Sequence, residues 1–151
     1  MTAWTPITTD LWTWEPWLKL EHDSTDVVGR CTRLFWLGLY TSYEAKRILP
    51  GLFTGTISTM AEAARMGADD SVRYLDRLLE HELVEYDRDV RVLRLTKLPS
   101  FADAVGCNGK VIRGWWTQFK KIPNCAVRDA HVATLSWMLE GWANDRGKPL
   151  T

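Results

Sequence analysis

The sequence predicts a mainly α-helical domain with a small β-hairpin, and three observations carry that prediction. Two short helical patterns, separated by a tight glycine-containing turn, lie between Thr59 and Leu83. Immediately after them, two stretches of alternating apolar and polar residues flank Asp87-Arg88-Asp89, which supplies turn chemistry. Beyond Asn108 the pattern returns to helical spacing in two further segments. With 151 residues, 46% apolar and 25% charged, the chain has the size and composition of one globular domain with a real core.

Residues 1–29 read as a Trp-rich N-terminal arm packed on the body. Prolines at 6 and 16 interrupt helices, and Trp4, Trp12, Trp14 and Trp17 are too apolar for a disordered tail. A winged helix-turn-helix is expected over 30–98. It starts with a central helix at 30–48, apolar through Tyr40 and ended by Leu49-Pro50-Gly51. Gly51 and Gly55 then flank a turn.

Thr59 and Glu62 fit a capping box opening a short helix at 60–66, with Gly67 in the left-handed position after it. Asp69 can cap the next helix, in which Val72, Leu75, Leu79 and Leu83 share one face. Val84-Glu85-Tyr86 and R-V-L-R-L-T form the hairpin. The order helix, short helix, turn, helix, hairpin is that of a winged helix-turn-helix. Residues 99–151 form a loop and a two-helix C-terminal extension of the same domain. Its first helix spans about 109–121 and stops at Pro123-Asn124; its second spans 128–143, with Val132, Leu135, Met138, Leu139 and Trp142 on one face.

Composition narrows the function. The formal net charge is zero, which argues against a protein that coats a polyanion through bulk electrostatics. Local asymmetry is nevertheless present. From Asp10 to Asp26 five acids face one base, Lys19, whereas from Asn108 to Lys121 there are four bases and no acid. No apolar run approaches the ~20 residues of a membrane span, and no charged start precedes an apolar core at the N-terminus. A cytoplasmic protein without a leader is the expectation. Cys31, Cys107 and Cys125 are odd in number and far apart, which disfavours a disulfide framework. No C-x-x-C or H-x-x-x-H spacing joins them to His22 or His131 in a zinc site. Catalytic residues, metal and cofactors are expected to be none, because nucleophile motifs and glycine-rich phosphate loops are lacking.

The residue types left point to double-stranded DNA. In the second helix of the pair, Arg73 and Arg77 can donate bidentate hydrogen bonds to guanine, and Ser71 and Tyr74 can reach bases or phosphates. Arg88 and Arg91 sit on the wing, where arginines hold backbone or minor groove. In N-G-K-V-I-R-G-W-W-T-Q-F-K-K, a step of about 100° per residue puts Val111, Ile112, Trp115, Trp116, Phe119 and Ile122 on one arc. Lys110, Arg113, Lys120 and Lys121 fall on the other, a phosphate-contacting stripe or a solvated face. Trp116, at the border beside Lys120, is the tryptophan able to stack on a base. Against DNA stand Asp69, Asp70, Asp76 and Glu80 on the same helix as Arg73 and Arg77; these acids repel phosphate or tie up the arginines.

Three stretches also carry a family resemblance: L-P-G-L-F-T-G-T-I-S-T-M-A-E-A-A, L-x-x-L-L-E-H-E-L-V-E-Y-D-R-D-V-R-V-L-R-L, and N-G-K-V-I-R-G-W-W-T-Q-F-K-K-I-P-N-C. Together they resemble winged-helix DNA-binding proteins of bacterial phages and mobile elements, of the replication-initiator or replisome-organiser type. In that group a wing strand leads into N-x-x-V-x-x-G-W, an aromatic, and a Leu/Ile-Pro-x-Cys stop. Those positions are Asn108, Val111, Gly114, Trp115, Phe119, Ile122, Pro123 and Cys125 here. Ser100-Phe101-Ala102-Asp103-Ala104 replaces the usual proline-rich linker. The resemblance, over residues 30–125, implies DNA binding in replication initiation or transcriptional control, with a replication or transcription protein as partner and possible homodimerisation. The alternative is a protein–protein adaptor that kept the fold without the DNA.

Overall fold

The computed structural model of the protein describes residues 15–22, 26–41, 49, 51–96 and 109–146. Helices α1 (Glu15–His22) and α2 (Asp26–Thr41) come first, followed by strand β1 (Leu52–Thr54). Helices α3 (Ile57–Ala64) and α4 (Ala68–Glu80) lead to strands β2 (Val84–Asp87) and β3 (Val92–Leu95). Helices α5 (Gly109–Phe119) and α6 (Ala126–Arg146) follow. The protein is mainly helical with one small antiparallel sheet, ordered β1-β3-β2.

Several boundaries differ from the sequence reading, each for a local reason. The arm is not wholly irregular: Pro16 lies in the first turn of α1, where a missing N–H costs nothing. Trp17 is buried edge-on against Trp36 at 5.6 Å, and the Arg33 guanidinium donates to its carbonyl at 2.8 Å. Helix α2 begins at Asp26 rather than 30; residues 42–48 lie outside the described residues. The strand Leu52–Thr54 was unforeseen, because three residues are too few to show alternation. Gly51 and Gly55 flank this strand and not a turn; their φ values of 77° and 152° suit glycine alone.

The cap of α3 is Thr56, whose hydroxyl accepts from the Thr59 N–H at 3.3 Å. Ile57 packs on the core and draws the helix start upstream of the expected Thr59. Arg65 takes the left-handed position (φ 59°) that Gly67 was expected to fill. Gly67 is instead the extended N-cap of α4, which leaves Asp69 inside the first turn rather than capping it.

The sheet divides the core in two. Leu52 pairs with Arg94 and Phe53 with Leu93, while across the hairpin Tyr86 pairs with Leu93 and Glu85 with Arg94. Successive residues of a strand point to opposite faces. Phe53, Val84, Leu93 and Leu95 therefore join Phe35, Trp36, Leu39, Leu75 and Leu78 from α2 and α4 in one cluster. Leu52 and Val92 join Trp115, Ile122, Leu135 and Leu139 from α5 and α6 in the other. All four residues of β3 are buried, as befits a central strand covered on both sides.

Candidate nucleic-acid interface

The helix-turn-helix surface begins with α4. Its amphipathic pattern turns Ser71, Tyr74, Leu75 and Leu78 inward. Two expected DNA contacts are thereby corrected. Ser71 is fully buried, and its hydroxyl donates to the Gly67 carbonyl at 2.7 Å, closing the first turn of the helix. Tyr74 is buried against Phe35, with ring centroids 6.1 Å apart. A hydrogen bond with Cys31, aided by burial, pushes its phenol pKa above the ordinary value. Neither side chain can reach a base. Val72, expected on the apolar face, is exposed, because Tyr74 and Leu78 set the stripe instead.

Arg73 and Arg77 do lie on the outer side of α4, and each has a carboxylate. Arg73 donates to Asp70 at 2.8 Å, and Arg77 to Glu80 at 3.4 Å. The β2–β3 turn folds back toward the same helix. Asp87 Oδ1 accepts from the backbone N–H of Asp89 at 3.0 Å and Val90 at 3.2 Å, fixing the turn. Arg88 then stands 3.8 Å from Asp76 of α4, with its guanidinium 5.8 Å from the Tyr86 ring. Arg91, at φ 58°, is exposed; its carbonyl accepts from Gly55 N–H at 2.9 Å. Arg73, Arg77, Arg88 and Arg91 thus share α4 and the turn with six acids, Asp69, Asp70, Asp76, Glu80, Asp87 and Asp89, which gives the surface a formal net charge of −2. Arg94 points into the other layer, where Glu85 holds it at 3.1 Å.

The basic helix is not part of that surface. Trp115 of α5 packs with Val92 and Leu52, on the face of the sheet opposite to the α4 cluster. The cluster that Trp115 joins lies across the sheet from α4, so Arg113, Lys120 and Lys121 do not form one continuous strip with Arg73 and Arg77. Arg113, Lys120 and Lys121 are exposed, and Lys120 Nζ sits 5.7 Å from the Trp116 ring. The Lys110 side chain lies outside the described residues. Helix α5 ends at Phe119, so Lys120 and Lys121 fall in the turn before Pro123.

Sequence reasoning missed the staple that holds this layer together. Arg128 lies 4.4 Å from the Phe119 ring, donates to the Ile122 carbonyl at 3.2 Å, and pairs with Asp129 at 3.1 Å. Phe119 in turn stacks on Trp116 at 5.3 Å. An arginine just past a proline break was the available signal.

No group of three or more metal-ligating side chains occurs among the described residues, and none of their helices is long and apolar enough to cross a membrane. No protein-family model matches the chain, and no curated protein or solved structure is significantly similar to it.

Proposed function

We propose that the protein is a non-enzymatic, sequence-preferring double-stranded DNA-binding protein of phage or mobile-element type. In this reading the fold is a winged helix-turn-helix: α3 and α4 are the helix pair, β2–β3 is the wing, and α4 enters the major groove. One observation carries it. The helix pair is inserted between β1 and β2, and the turn of the hairpin returns to α4 through Arg88 and Asp76, 3.8 Å apart. Helix and wing thereby form one surface able to face a duplex.

Magnitudes favour the reading despite the acids. The Arg73–Asp70 pair is solvent-exposed on both sides, and such pairs hold by a few tenths of a kcal/mol up to ~1. A bidentate arginine–guanine contact discriminates by ~1–3 kcal/mol. Arg73 and Arg77 can therefore exchange a carboxylate for a base at small cost. The excess of acids on this surface keeps non-specific affinity low, so sequence matters more to binding than bulk charge. The role proposed is replication initiation or transcriptional control, in the cytoplasm at the nucleoid.

The test is selection of bound duplexes from a random library, followed by salt titration of the best one. Each neutralised phosphate contributes about −0.9 to the slope of log affinity against log salt, so with Arg73 and Arg77 on bases, the wing arginines Arg88 and Arg91 together give roughly −2. Absence of any selected duplex at low salt removes the proposal. A second reading, an adaptor that binds protein through this face, is favoured by the carboxylate partners of Arg73, Arg77 and Arg88. It expects a stable complex or homodimer without nucleic acid, which light scattering after size exclusion detects.

A further inference from the structure

Between α5 and α6 lies a cleft of about 180 Å³, lined by Leu49, Trp115, Trp116, Phe119, Leu135 and Leu139 among others. Small-molecule sites usually occupy ~300–1,000 Å³, so this one suits one or two apolar side chains rather than a cofactor. Its lining is almost wholly apolar; Ser136 is the one polar residue in it. Trp116, forming one wall, is 58% exposed, and Trp137, next in sequence to Ser136, is 75% exposed. Tryptophan is the residue that most often carries binding energy at protein interfaces.

Charge says what kind of partner fits. Arg113 precedes Trp116 by three residues on α5 and so shares its side of the helix, and Lys120, in the turn after α5, reaches back to 5.7 Å from the Trp116 ring. Neither Arg113 nor Lys120 has a carboxylate partner among the described residues, and no acid occurs from 109 to 121. The α5 rim is therefore cationic. The α6 side carries exposed Glu140, one turn beyond Ser136. The Trp116 ring is engaged by Phe119 in an offset stack and by Lys120, which makes it a rigid wall rather than a platform for bases.

We infer that the α5–α6 cleft docks an acidic amphipathic helix of a partner protein. Apolar anchors at helical spacing enter between Trp116 and Leu139, and carboxylates on one flank meet Arg113 and Lys120. This surface lies across the sheet from α4, so partner and duplex can be held together.

The experiment is display selection of random 16-residue peptides on the full chain, with the winners measured by fluorescence anisotropy. Net-negative sequences with two or more apolar anchors three or four residues apart are expected. Trp116→Ala and the double variant Arg113→Glu/Lys120→Glu should each weaken them at least tenfold. Circular dichroism should show an unchanged fold, since all three side chains are exposed. Duplex binding should be unaffected. Selection of no peptide, of peptides without acidic bias, or of peptides indifferent to both variants overturns the inference. So does single-stranded oligo-dT that displaces the peptides and loses affinity in the same variants, which assigns the face to nucleic acid. A homodimer abolished by Trp116→Ala overturns it in favour of a second copy of this chain.

Discussion

Arg94 of β3 donates to both carboxylate oxygens of Glu85 on β2, through Nε at 3.1 Å and Nη2 at 3.3 Å, and its Nη1 donates to the Thr134 hydroxyl of α6 at 3.2 Å. The two partners are buried unequally: 11% of the Arg94 side chain is exposed against 49% of Glu85. Removing Glu85 strands a nearly buried cation, whereas removing Arg94 leaves a carboxylate that water can reach. Glu85→Ala is therefore expected to cost about 3 kcal/mol, and Arg94→Met about 1–2 kcal/mol despite deleting more hydrogen bonds. Urea unfolding of both variants checks the order. The reverse order means that the pair acts mainly through packing.

Two helix glycines predict opposite outcomes for one substitution. A Cβ on Gly38 of α2 meets the Ala64 Cα at 2.7 Å, where α2 crosses α3. Gly38→Ala should destabilise by about 1–2 kcal/mol, overpacking outweighing the gain in helix propensity. A Cβ on Gly114 of α5 meets nothing within 4 Å. Gly114→Ala should stabilise by about 0.5–1 kcal/mol. Thermal melts of the two variants should move in opposite directions.

Alkaline pH should loosen the fold through two tyrosines. Tyr74 is raised first by its hydrogen bond with Cys31, Tyr86 first by burial. The folded state then holds these protons more tightly than the unfolded one. Their contribution is complete below the unfolded value, about pH 10, and is lost as pH rises through the folded values. Tyr74→Phe should flatten the decline of melting temperature above about pH 10. Tyr86→Phe should do so too, and should cost about 1 kcal/mol at neutral pH by losing its 2.9 Å hydrogen bond to the Gly55 carbonyl.

If α4 reads DNA, its carboxylates act as brakes. Asp70→Asn frees Arg73, Asp76→Asn frees Arg88, and each removes a like charge facing phosphate. Each should tighten binding to a selected duplex roughly threefold at low salt, while Arg73→Ala weakens it about tenfold. Gel shifts at two salt concentrations suffice. Tightening without any change from Arg73→Ala points to a backbone contact made elsewhere.

Much of this architecture was legible in the residues, and the limits have physical causes. The hairpin was readable because Leu93 and Leu95 alternate with Arg94 beside the turn chemistry of Asp87. Helical spacing put Trp115 mid-arc, where it is buried, and Trp116 at the border of the same arc, where it is more exposed than a shared apolar face implies. Ser71 and Tyr74 went astray because a hydroxyl signals surface by composition, yet both are carried inward by their place on the helix and satisfied locally. The separation of α5 from α4 was not readable at all. It depends on which face of the sheet receives each helix, a relation between distant segments that no local pattern encodes.

One ribbon of four residues, β3, borders both halves of the core. Its odd-numbered side chains seal one compartment and its even-numbered ones the other, and it is paired along both edges. The amides of Val92 to Leu95 should thus be the last to exchange with deuterium, and they set a common clock for opening on either side. A ligand that stabilises β3 from one compartment should therefore slow solvent exchange in the other without touching it.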